Sequence, residues 1–214
     1  MSEHMALENL TVLDLTRVLA GPFCTMMLAD MGANVIKIEV PKGGDDTRGY
    51  PPFRAKNLKG ERESVYFANI NRNKKGITLN LKAPEGKEIF KELVKKADIV
   101  VENYRPGVMD KLGLGYDVLK EINPRIIYAA VSGFGCYGPY HLRPGYDILA
   151  QAMGGMMSIT GSKGGEPTRA GSALGDILGG LHVTIGILAA VNARTITGKG
   201  QRVDVSLMDS MIAA

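Results

Sequence analysis

The chain has 214 residues, with 26 Lys and Arg against 22 Asp and Glu, a net charge of +4, and 45% hydrophobic and 22% charged residues. That length suits one large domain with a packed core, and the composition excludes a disordered or fibrous chain. So weak a positive charge does not point to nucleic acid, and Cys24 and Cys136, far apart and outside any CxxC pair, suggest neither a zinc site nor a disulfide framework. A reducing cytoplasm is the expected setting.

Residues 1–10 are polar and show no targeting pattern. Short β-branched runs then alternate with helical patterns, which predicts an α/β fold with a parallel sheet covered on both faces. A strand over 11–15 is followed by a helix that Gly21-Pro22 opens and Gly32 stops. A second strand covers 34–39, and the polar, Gly- and Pro-rich stretch 41–62 reads as a mobile or ligand-facing loop. A third strand is expected over 77–81. Pro84 then opens a helix with Ile89, Leu93 and Val94 on its apolar face, and Lys95 and Lys96 suit its C-terminal end. Strand 98–102, helix 116–122, strand 125–131 and helix 146–154 follow. A Gly-rich loop over 154–175 leads into a long helix over 176–196 and a last strand over 203–207. The apolar window 173–193 has the length of a membrane span, but Asp176, His182 and several glycines favour a buried helix of a soluble domain.

Gly133-Phe134-Gly135-Cys136-Tyr137-Gly138 matches GxGxxG after a predicted strand. A dinucleotide turn needs a helix N-terminus aimed at the pyrophosphate. Pro139 and Tyr140-His141-Leu142-Arg143-Pro144 follow instead, so the glycines read as a connection and not as an NAD site. Asp176 stands where the Gly-rich loop meets the apolar helix, as either an N-cap or a carboxylate nucleophile for acyl transfer. Gly179 and Gly180 favour close approach of a backbone or ligand. Arg17, Arg72, Lys74, Lys75, Arg105, Lys111 and Arg143 recur near predicted strand ends, as a solvated face or as a site for a phosphate-bearing ligand beyond the carboxyl ends of the strands. Asn103-Tyr104-Arg105 adds an amide, an aromatic ring and a guanidinium suited to a nucleotide. His182, six residues after Asp176, lies off its helix face and reads as a hydrogen-bonded core or interface histidine. No metal ligand set emerges.

Several segments in order carry a resemblance. They are Leu13-Asp14-Leu15-Thr16-Arg17 before Ala20-Gly21-Pro22, then Gly32-Ala33-Asn34-Val35-Ile36-Lys37-Ile38-Glu39, and Gly44-Asp45-Asp46-Thr47-Arg48. Asn73-Lys74-Lys75, Glu102-Asn103-Tyr104-Arg105-Pro106-Gly107, Arg143-Pro144-Gly145-Tyr146-Asp147, Gly175-Asp176 and Thr197-Gly198-Lys199-Gly200-Gln201 complete the series. Together they resemble the class III coenzyme A transferases, a family that includes formyl-CoA:oxalate and carnitine CoA-transferases and the related α-methylacyl-CoA racemases.

The resemblance implies a Rossmann-like open sheet and makes 1–214 the N-terminal CoA-binding large domain of a longer chain, whose full-length form is an interlocked homodimer. Acyl-CoA and a carboxylic acid acceptor are the implied partners, without nucleic acid or membrane, and with no cofactor beyond the CoA thioester as substrate. Asp176 matches the family's catalytic aspartate, which passes through a mixed anhydride to an aspartyl-CoA thioester. CoA contacts are implied for Val18, Leu19, Ala20, Asn71, Arg72, Asn73, Lys74, Asn103, Tyr104, Arg105, Lys111 and Arg143. Leu19 stands where formyl-CoA transferases carry Gln, so formyl and oxalyl specificity is not implied, and Val40 replaces an Arg that contacts CoA in some members. Tyr146, counted among the binding residues, stands where the racemases carry a catalytic His. With a reference pKa of about 10 a tyrosine is a poor base near neutrality. A transferase is therefore expected ahead of a racemase or a truncated CoA-binding module without turnover, and the 214 residues alone are expected to self-associate and turn over little.

Overall fold

The computed structural model describes residues 4–54 and 62–214. In chain order it runs β1 (Thr11–Asp14), α1 (Ala20–Asp30), β2 (Asn34–Glu39), a 3-10 turn at Asp46–Gly49, β3 (Phe53–Arg54), β4 (Glu63–Ser64), α2 (Val65–Ile70) and β5 (Lys75–Thr78). It continues with α3 (Pro84–Val94), β6 (Ile99–Glu102), α4 (Val108–Lys111), α5 (Tyr116–Ile122), β7 (Ile127–Ser132), α6 (Asp147–Met153), α7 (Leu174–Thr197), β8 (Arg202–Ser206) and α8 (Leu207–Ile212).

Six strands pair in parallel in the order β5-β2-β1-β6-β7-β8, while β3 and β4 form a separate antiparallel hairpin. The sheet is covered on both faces, so its central strands are mainly apolar up to the carboxylates Asp14 and Glu102 at their ends, and they split their side chains by the two-residue period. Val12, Ile99, Val101 and Ile127 enter one core with Leu28 of α1 and Val183 and Ile187 of α7. Leu13, Val100 and Tyr128 enter the other with Phe90 and Val94 of α3 and Leu119 of α5. This is the doubly wound α/β architecture that the alternating pattern predicts.

Several local expectations shift. The third strand is Lys75–Thr78 and not 77–81, because its pairing runs from Ile36↔Lys75 to Glu39↔Thr78 on β2. Leu79 to Lys82 thereby become the loop beyond its carboxyl end. On α3 the buried residues are Gly86, Phe90 and Val94, one helical turn apart, while Ile89 is exposed. Of the stretch 41–62 expected to be a loop, residues 41–54 make a turn capped by Asp45, which accepts from Thr47 N–H at 3.0 Å, and the first strand of the hairpin. Residues 55–61 lie outside the described ones. Short helices α2, α4 and α8 are too brief to carry a helical period in the sequence. His182 is exposed, which overturns the core reading. Helix α7 is long and apolar enough to cross a membrane by length and composition, and here it packs on α1, β7 and β8.

The glycine at the end of β7 meets the glycine before α6 backbone to backbone: a Cβ on Gly133 would stand 2.2 Å from the Cα of Gly145. This contact pins the 133–146 connection against the sheet. No helix follows the glycines until Asp147, so the GxGxxG run is a connection, as its context predicted. Gly133→Ala should separate the two segments and destabilise the fold by about 1–3 kcal/mol, the usual cost of overpacking. Denaturant unfolding measures it, and an unchanged midpoint would remove the pin from the account.

Candidate active site

Open α/β sheets bind ligands beyond the carboxyl ends of their strands, where the chain order reverses. Here the reversal lies between β1, which leads outward to β2 and β5, and β6, which leads the other way to β7 and β8. A cavity of about 630 Å³ opens at that point. The loop after β1 lines it with Arg17, Val18, Leu19 and Ala20, and the loop after β6 lines it with Asn103, Tyr104 and Arg105. Arg143 and Tyr146 close it from the connection before α6, and Asp147 and Asp176 complete the wall. Nine of the residues implied by the resemblance therefore meet at one opening.

A second cavity of about 520 Å³ lies beyond the carboxyl ends of β2 and β5, against Val40, Lys42, Leu79 and Lys82. Arg17, Tyr104 and Val108 line both cavities, so the two are neighbours beyond the carboxyl ends of the strands. Sequence reasoning missed this second region. Its lysines follow strand ends as the others do, but the misplaced third strand hid Leu79 to Leu81 inside a strand.

Asp176 is not the N-cap of α7. The helix starts at Leu174 with Ala173 as its cap, which offers no side-chain acceptor. Asp147, the first residue of α6, supplies one from outside: its Oδ1 accepts from Gly175 N–H at 2.8 Å and from Asp176 N–H at 3.4 Å. Asp147 also accepts from Nε2 of the fully buried Gln151 at 2.8 Å. The Asp176 carboxyl is thus spared from capping its own helix. Burial first, and the Asp147 carboxylate second, push its pKa up to about 7. The same crowding acts on Tyr66, whose hydroxyl burial and the Asp176 charge push up to about 12. A buried carboxyl half ionised near neutrality is a more basic nucleophile than an ordinary aspartate.

Beneath the β1 loop lies a buried charge network. Asp14 accepts from Thr16 N–H at 2.9 Å and from Thr25 Oγ1 at 2.7 Å, and its partner Lys74 Nζ lies 3.1 Å away. Burial alone would raise Asp14, but Lys74 and Lys37 hold it below the usual carboxylate range. Lys74 Nζ also donates to Pro22 O at 3.0 Å and to Asn71 Oδ1 at 2.9 Å.

The structure does not bring the whole of the implied binding set to these cavities. Lys74 is buried, and with Asn71 it is spent on internal bonds. Arg72 pairs with Asp30, and Asn73 Nδ2 donates to Asp30 Oδ1 at 2.8 Å. None of the four lines either cavity. Lys111 is exposed on α4 and lines neither, although Val108 and Leu112 beside it do. Asn103 faces the cavity but uses both ends of its amide on Arg17, accepting from its N–H at 2.8 Å and donating to its carbonyl at 2.7 Å.

The description "CoA-transferase family III" matches residues 7–214. The chain belongs to this family. It is 50% identical over 207 residues to an acetyl-CoA:oxalate CoA-transferase of Acetobacter aceti, covering 96% of this chain and 52% of that protein. A succinyl-CoA:mesaconate CoA-transferase of Haloarcula marismortui is 48% identical over 214 residues, covering 97% of this chain and 53% of that protein. A crystal structure of a CaiB/BaiF family protein from Brucella suis superposes with a TM-score of 0.94 at 45% identity, over 99% of this chain and 56% of that one. The chain spans about half the length of the curated relatives it matches. Among family III members, then, this chain has the α/β fold that the motif series implied.

Proposed function

We propose that the protein to which these residues belong is an acyl-CoA:carboxylate CoA-transferase that works through an aspartyl-CoA thioester on Asp176. The observation that carries the reading is the place of Asp176, a half-buried carboxyl on the wall of the switch-point cavity together with Arg105 and Arg143. In the proposed first step an Asp176 oxygen attacks the thioester carbonyl, the C–S bond breaks, and CoA thiolate leaves from a mixed anhydride. The thiolate then attacks the Asp176 acyl carbon and expels the donor carboxylate, leaving aspartyl-CoA. An acceptor carboxylate repeats the sequence in reverse, so that no proton or oxidant is consumed. Oxalate and mesaconate in the relatives' names make a dicarboxylic acceptor the first class to try. In this reading the thioester of CoA lies at Asp176 and the rest of the molecule extends toward the neighbouring cavity of Leu79, Lys82 and Lys42.

Two experiments test this reading. The whole protein incubated with acyl-CoA and quenched with hydroxylamine should give a hydroxamate on the Asp176 peptide by mass spectrometry, and CoA exchange without any adduct there would refute the nucleophile. Arg105→Ala and Arg143→Ala should each weaken CoA by roughly 10- to 150-fold, since a charged hydrogen bond to phosphate contributes about 1.5–3 kcal/mol. Calorimetric titration with CoA and dephospho-CoA reads that loss. Unchanged affinity in both variants would make these arginines a solvated face.

A further inference from the structure

Val18 and Asn73 are the non-glycine residues with positive φ among the described ones, and Val18 stands at +65° on the cavity wall. A β-branched residue is a genuine outlier in that region, because its side chain crowds the neighbouring backbone. Such strain persists only where the surroundings over-determine it. Around Val18 they do. Thr16 N–H donates to Asp14 Oδ1 at 2.9 Å, and Lys37 Nζ donates to Thr16 O at 2.8 Å. Asn103 holds both backbone groups of Arg17, and Val18 N–H itself donates to Asp45 Oδ1 at 3.3 Å. Backbone groups on three successive residues are thus tied to side chains from four other places in the chain.

Two of these buried side chains form an ion pair with each other. Lys37 Nζ lies 2.9 Å from Asp45 Oδ2, and the side chains are 2% and 0% exposed. Neither residue lines a cavity, so neither is placed to touch a ligand. Asp45 is fixed in turn: Glu39 Oε2 accepts its N–H at 2.8 Å, and Thr47 donates its N–H and hydroxyl to Oδ1 at 3.0 and 2.8 Å. A buried ion pair is a poor source of stability compared with apolar packing, and its best use is to select one conformation over others.

We propose that the buried Lys37–Asp45 pair is a positioning device that holds Val18 in the left-handed conformation and thereby sets the wall formed by Arg17, Val18 and Leu19 where CoA passes. The proposal rests on the reading of the cavity as a CoA site. Lys37 grips the carbonyl two residues before Val18, and Asp45 grips its N–H. Without them the turn relaxes toward negative φ and carries Arg17 and Leu19 away from the ligand path.

The test is a double-substitution cycle in the intact protein, read by calorimetric titration with CoA. Asp45→Asn keeps the Oδ1 acceptor for Thr47 and Val18 N–H but sets an amide N–H2 in place of the Oδ2 that fixes Lys37 on Thr16 O, and it should weaken CoA roughly 5- to 30-fold, the equivalent of the positive-φ penalty. Val18→Gly lets the backbone take the same φ without that penalty. In the Val18→Gly background Asp45→Asn should therefore cost less than about threefold. Equal losses in the two backgrounds, or no loss in either, would overturn the proposal. A second measurement needs neither CoA nor Asp45→Asn. Amide hydrogen exchange on unliganded wild type should show the Val18 N–H protected, and Lys37→Met should release it. Rapid exchange in the wild type refutes the hold, even if Asp45→Asn does not fold. If the wild-type protein does not bind CoA, the functional reading fails, while the exchange experiment still decides whether the pair holds the turn.

Discussion

Asp176→Asn should abolish CoA transfer by the whole protein and make it more stable by an amount that grows from about pH 4 and is complete above about pH 7. The two effects share one cause. Loss of the carboxylate removes the nucleophile, with an expected fall in turnover of about 10³-fold or more. The stability effect follows from linkage. The folded state raises the Asp176 pKa from 3.8 to about 7 through burial and the Asp147 charge. A carboxyl with a raised folded pKa leaves stability intact below its unfolded value, and that stability is lost as pH rises through the folded value. At pH 8 the wild type carries the full cost of a buried carboxylate, and the amide carries none. The gain at pH 8 should be at most about 4 kcal/mol, reduced by solvent screening of this half-buried group, and close to zero near pH 4. Chemical denaturation of both proteins at the two pH values measures it. A pH-independent difference would show that Asp176 titrates as an ordinary aspartate, and retained turnover would remove it from the chemistry. For the same reason wild-type transfer should rise with pH through an apparent pKa near 7.

Lys74→Met should cost about 3–5 kcal/mol of stability, the usual result of stranding one member of a buried ion pair. Asp14 is fully buried, and Lys74 is the cation nearest to it. Methionine fills the space of the lysine stem but leaves Asp14 with Lys37 and the hydrogen bonds from Thr16 and Thr25 to offset its burial. Asp14→Asn in the same chain should restore much of the loss, because the amide needs no counter-charge. The CoA affinity of the folded fraction should stay within about threefold of wild type, since Lys74 lines neither cavity. Equilibrium unfolding and titration separate the two properties. A variant that folds normally but loses CoA would return Lys74 to the binding set that the motif series implied. The network also sets an acid limit. Asp14, Asp45 and Glu39 are held below their ordinary values of 3.8, 3.8 and 4.5 by Lys74, Lys37 and Arg48 against the opposing effect of burial. Their contribution is present above those ordinary values and is lost as pH falls through the lowered ones.

The sequence by itself determined the alternation of strands and helices, the family and the nucleophile candidate. Those features are carried locally: Ile99 to Glu102 or Ile127 to Val131 can only be strands buried on both faces, and Asp176 is conspicuous as a lone charge in an apolar stretch. Motif order also placed Val18, Asn103, Arg105, Arg143 and Tyr146 at one site, and the switch point of the sheet explains why such distant segments meet. Only the tertiary structure decided which charges face the cavity. Lys74 and Arg105 look alike in the sequence, yet one is buried against Asp14 and the other lines the switch-point cavity. The register of the edge strand β5 decided the second cavity, because pairing with β2 sets where that strand stops and local propensity does not. The cap supplied to α7 by Asp147 and the hold of Lys37 and Asp45 on Val18 likewise join residues 28 and 27 positions apart. No local period or propensity encodes such contacts, since they exist only once the layers have packed.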